Sequence, residues 1–107
     1  MSEPLERIKY DILSDMLIDM LSIEESFYTK HKDKPSVNYE IVKQSCRFNI
    51  DDNGKKSFVT SLSSLYKHTK NYGAKLHNRG LYHLNEEEIE IDIDKRINRA
   101  YNLNRLL

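Results

Sequence analysis

Two rows of apolar side chains at helical spacing dominate the N-terminal part of the chain. Leu5, Ile8, Ile12, Met16, Met20, Ile23 and Phe27 step by three or four residues, and Leu13, Leu17, Leu21 and Tyr28 form a second row beside them. At about 100° per residue, the two rows cover more than half of a helix circumference. A helix lying on the surface of a fold needs one stripe, not two. The spacing therefore predicts a helix over residues 3–31 that is either the centre of a bundle or part of an oligomer interface. Ser2, followed by Glu3 and Pro4, supplies a hydroxyl cap and a first-turn proline whose missing N–H costs nothing there.

The rest of the chain is read around that helix. His31 to Ser36 form a loop in which Pro35 stops the helix and Ser36 caps the next element. Residues 37–48 carry two patterns. Val37, Ile41, Ser45 and Phe48 share a helical face, whereas Cys46, Phe48 and Ile50 alternate like a strand. A short helix over 37–47 is favoured; the alternative is a short hairpin of 46–50 with 56–60 across the Asp51-Asp52-Asn53-Gly54 turn. That turn resembles a calcium loop only in part, because Lys56 and Thr60 stand where an apolar residue and a bidentate Glu are needed.

Ser57 is the expected cap of a third helix with the stripe Phe58, Leu62, Leu65, Thr69, Tyr72 and Leu76. Gly73, on the stripe's edge, marks a close helix approach, a kink or an early end, and Gly80 is the natural stop. Leu84-Asn85-Glu86-Glu87-Glu88-Ile89 is a capping box with a hydrophobic staple. It opens a fourth helix over 86–105 with Ile89, Ile93, Ile97, Ala100, Leu103 and Leu107 on one face. The expected fold is all-α: one domain over residues 1–107, an antiparallel four-helix bundle with the first helix most buried.

Charge carries the functional reading. Lysine plus arginine equal aspartate plus glutamate at 17 each, so attraction to a partner must come from local segregation. Between Asn53 and Asn85 there is no acid, while Lys55, Lys56, Lys67, Lys70, Lys75 and Arg79 and three of the four histidines lie there. Lys67, Lys70, Lys75 and Arg79, with Tyr72 for stacking, are the candidate contacts to nucleic acid or to an acidic partner. Asp11, Asp15 and Asp19 form an i, i+4 acidic row on the first helix, and like charges at that spacing repel. The row is a candidate contact for the basic segment, within the chain or across a dimer. Against both stands the plain alternative of solvated helix faces, and Tyr66 and Tyr72 fit the edge of a core.

Chemistry is not indicated. No phosphate loop, metal-binding doublet or nucleophile elbow appears, and the lone Cys46 excludes an intrachain disulfide. Glu86 to Glu88 are explained by the helix N-terminus. No cofactor and no metal are expected, and no enzyme. The longest aliphatic run near the N-terminus, Met16-Leu17-Ile18, is far too short to span a bilayer. The charged N-terminus and single cysteine point to the cytoplasm, or to the nucleus in a eukaryote. Richness in Asn, Lys, Ile and Tyr hints at an AT-rich source such as a virus or mobile element. The expected function is a small non-enzymatic binding or regulatory protein that meets a protein partner, or a second copy of itself, through a helical face. The alternative is a nucleic-acid-binding protein that uses the basic third helix.

Overall fold

A computed structural model describes residues 4–30, 38–48 and 62–106. Four helices account for nearly all of them: α1 (Pro4–Lys30), α2 (Tyr39–Phe48), α3 (Leu62–Asn78) and α4 (Glu86–Leu106). Among the described residues there is no strand. The Ser2 and Ser57 caps, Pro35, Ser36, the turn at 51–54 and the second hairpin segment at 56–60 lie outside the described residues. Cys46 and Phe48 belong to α2, so the alternation over 46–50 is not that of a strand as far as Phe48.

α1 is the central helix. α2, α3 and α4 all pack on it, and α3 also packs on α4. This is why its two apolar rows are so wide: three helices share them. Leu13, Met16, Met20, Leu65, Leu76, Ile89, Ile93 and Ile97 form the main core. Burying each such side chain stabilises the fold by about 1.5–3 kcal/mol. Leu21 and Tyr39 form a second, smaller cluster that seats α2 with Leu17, Ile18, Tyr28, Val42 and Tyr72. Neighbours on α1 and α3 advance together, since Thr69 Oγ1 reaches the Leu13 carbonyl at 3.4 Å and Arg79 meets Glu24 at 2.8 Å. Against α4 the order reverses: Met20 lies level with Ile89, and Leu13 with Ile97.

Gly73 marks a close approach of three helices. A Cβ built there would lie 2.7 Å from Ile89 Cδ1 and 2.8 Å from Met20 Cε, closer than van der Waals contact allows. The absent side chain lets α1 and α4 close on α3 at one level. Of the three readings of Gly73 made from sequence, the close approach is the one realised; α3 continues to Asn78.

The helix ends follow local chemistry. α3 stops in a Schellman motif: Leu81 N donates to Leu76 O at 2.8 Å and Gly80 N to His77 O at 2.9 Å, with Gly80 at φ 76°. α4 starts in the expected capping box. Glu88 N donates to Asn85 Oδ1 at 2.9 Å, and Asn85 N donates to Glu88 Oε1 at 3.1 Å. Asn85→Ala is expected to cost about 1 kcal/mol and to lower Tm by about 4 °C or more in thermal denaturation followed by circular dichroism. An unchanged Tm would mean that packing alone fixes the start of α4. α2 is capped by Asn38, whose Oδ1 accepts from Ile41 N at 3.3 Å; the cap expected at Ser36 lies outside the described residues.

Candidate interaction surfaces

The acid-free α3 divides into an inner and an outer face. Lys70 turns to α4, where Nζ lies 3.0 Å from Glu90 Oε1 and 3.9 Å from Glu86 Oε1. The hydrogen bond to Glu90 raises the Lys70 pKa. Its ammonium also lies over the Tyr66 ring, 5.8 Å from the centroid. Arg79 turns to α1 and meets Glu24. The Tyr72 hydroxyl is buried and faces the interior. What remains outside is one exposed stripe, Lys67, Asn71, Lys75 and Asn78, with His68 at its edge. Lys67 and Lys75 meet no acid among the described residues. Thus the five candidate contacts separate: Lys67 and Lys75 face solvent together, while Lys70, Tyr72 and Arg79 serve contacts within the chain.

The acidic row of α1 is spread over different surroundings. Asp11 pairs along its own helix with Arg7 at 3.6 Å, both well exposed. Asp15 lies opposite α4, where it lines a groove with Ile12, Arg96, Arg99, Ala100 and Leu103. Asp19 is exposed and adds to the negative field that, after burial, raises the pKa of Tyr82. The groove holds about 320 Å³. Its floor is apolar, one rim is acidic and the other basic. Leu103 stands 61% exposed and continues the apolar floor formed with Ile12 and Ala100.

A carboxylate that sequence reasoning missed holds the far end of the bundle together. Glu24 has 15% of its side chain exposed. Its Oε1 accepts from Tyr39 Oη at 2.6 Å and its Oε2 from Arg79 Nη1 at 2.8 Å. Burial alone would raise its pKa, but the Tyr39 hydroxyl, the neighbouring Tyr72 and the Arg79 guanidinium outweigh burial and hold it below the ordinary value. Tyr72 Oη is buried close by without a partner in hydrogen-bond geometry. Burial and the Glu24 charge push the Tyr39 and Tyr72 phenols well above the ordinary tyrosine value. The Arg79 guanidinium also lies over Phe27 and Tyr28, 5.7 and 5.9 Å from their centroids. Beside this cluster, Lys43 reaches Glu25 at 2.9 Å and Glu40 at 3.5 Å. α2 is therefore tied to α1 by polar links as much as by its small apolar cluster. The only sequence signal was an acid next to the aromatic end of an apolar row; its partners lie 15 and 55 residues away.

Within the cluster and beside it, the Glu24, Tyr39, Arg79 and Lys43 side chains are all engaged by other side chains of the same chain. Among the described residues, no group of three His, Cys, Asp or Glu side chains could hold a metal ion. His77 Nδ1 lies 2.9 Å from the Tyr82 carbonyl oxygen, while His68 and His83 are exposed. No described helix is long and apolar enough to cross a membrane. No known family, curated protein or solved structure matches the chain.

Proposed function

We propose that this chain is a non-enzymatic binding protein that docks a protein partner through the groove between α1 and α4. The observation that carries this reading is the exposed Leu103 beside Ile12 and Ala100, rimmed by opposite charges. An apolar floor supplies affinity when it is covered, and charged rims supply orientation. The breadth of the α1 apolar face no longer argues for a partner, because α2, α3 and α4 cover it. A cytoplasmic or nuclear setting belongs to the same proposal.

The α3 stripe supports a second reading, nucleic-acid contact, since Lys67, Asn71, Lys75 and Asn78 form an acid-free polar row. Magnitudes put it second. Two lysines neutralise about two phosphates, which gives a salt slope near −2, whereas stable nucleic-acid binders make about 6–10 such contacts.

A pull-down from the native host with wild type, Leu103→Asp and Lys67→Glu/Lys75→Glu, with and without nuclease, separates the two. The groove reading expects partners that survive nuclease and are lost with Leu103→Asp. Partners lost on nuclease treatment and with the lysine variant, but kept by Leu103→Asp, would replace it with the second.

A further inference from the structure

Resting on the groove reading, we infer that the partner in the α1–α4 groove is a second copy of this chain, related by a two-fold axis that runs along the groove. The argument is one of charge and level. Asp15 lines the α1 rim, with Asp11 one helical turn before it, and Arg96 and Arg99 line the α4 rim. Because α4 passes α1 in the opposite order, Asp15 lies level with Arg96 and Arg99. A two-fold axis parallel to the helices keeps each residue at its own level and exchanges the rims. It lays the acidic rim of each copy over the basic rim of the other, twice, and brings the Leu103 of one copy toward the Ile12 of the other. A two-fold axis across the helices would lay acid on acid and base on base, and is disfavoured. An isologous interface requires this kind of self-complementarity.

The pairs that Arg96 and Asp11 make within the chain do not prevent the exchange. Arg96 pairs with Asp92 at 3.0 Å and Asp11 with Arg7 at 3.6 Å, both along one exposed helix surface, where such pairs contribute little. The formal net charge of zero leaves no overall repulsion between copies. The apolar strip is narrow, so the association belongs to the weak, reversible class, with Kd on the order of micromolar.

The test is sedimentation velocity on wild type, on Arg96→Glu/Arg99→Glu, on Asp11→Lys/Asp15→Lys and on an equimolar mixture of the two variants, with circular dichroism confirming that each is helical. Wild type is expected to approach twice the chain mass as concentration rises. Each variant alone is expected to stay at the single-chain mass, since it sets like charge against like. The mixture is expected to regain the dimer, because every rim then faces its opposite. Wild type that stays at the single-chain mass at every concentration overturns the inference, and so does a mixture of folded variants that fails to associate. Should a charge variant fail to fold, Leu103→Asp decides: a dimer that persists with it uses another face, and one that disappears supports this groove. A monomeric wild type whose pull-down partners still depend on Leu103 would leave the groove reading standing and remove only self-association.

Discussion

Ile89→Ala is expected to cost about 2–5 kcal/mol, a large part of the roughly 5–15 kcal/mol that holds a domain of this size together. Ile89 is fully buried where α1, α3 and α4 meet over Gly73. The more telling measurement is the effect of a methyl group at Gly73 in two backgrounds. In wild type, Gly73→Ala places a Cβ 2.7 Å from Ile89 Cδ1 and 2.8 Å from Met20 Cε. Overpacking of about 1–3 kcal/mol then outweighs the gain of about 1 kcal/mol in helix propensity, so the change destabilises. In the Ile89→Ala background the obstructing Cδ1 is gone, and Met20, whose contact atom ends a flexible side chain, can move into the space. There Gly73→Ala is expected to stabilise, by about 1 kcal/mol. Urea denaturation of the four proteins reads the sign. The same ΔΔG in both backgrounds would show that Gly73 is not kept small by Ile89.

Glu24→Ala is expected to cost about 2–3 kcal/mol, below the roughly 3–5 of a fully buried broken pair because Arg79 can turn to water. Arg79 has 40% of its side chain exposed. Tyr39 cannot escape in the same way, being only 3% exposed, so its hydroxyl is left without its acceptor. The loss should concentrate on α2, which is seated by Tyr39 and by the Glu25–Lys43 link. Hydrogen exchange is expected to quicken across α2 more than across α4; uniform quickening would mean that α2 is no separate unit. The same carboxylate sets an acid limit. Its folded pKa lies below its ordinary value of 4.5. Its contribution is therefore complete above pH 4.5 and is lost as pH falls through the lower folded value. The stability gap between wild type and Glu24→Gln should narrow below that pH, and a gap that widened would refute the assignment.

Local chemistry was legible in the sequence; distant pairing was not. The expected helices over 3–31 and 86–105 match α1 and α4 within a residue, because proline, capping box and apolar period all act within a few positions. Gly80 was readable for the same reason, since only a residue at ease with positive φ ends a helix that way. Asn38 was not read as the cap of α2, because Pro35 drew the boundary of that helix too early, at Ser36. Gly73 was recognised as significant but not resolved, since what a missing side chain accommodates depends on the neighbouring helices. Glu24 went unread altogether. A lone acid in an apolar row becomes a site only when Tyr39 and Arg79 arrive from other helices. The acid-free stretch illustrates the same limit: Lys67 and Lys70 look equivalent in sequence, yet Lys70 is held by Glu90 and Lys67 faces outward.

The hydrogen atom at Gly73 also bears on how kin of this chain would be recognised. Surface charges outside the α1–α4 groove can drift, and core residues away from Gly73 can trade among Leu, Ile and Met. The close passage of three helices cannot, nor can the left-handed stop seven residues later at Gly80 or the Asn85–Glu88 box that follows. Two glycines with six residues between them, then an asparagine after four more and a glutamate after a further two, form a signature set by backbone geometry. A descendant that had lost nearly all other identity would still have reason to keep it.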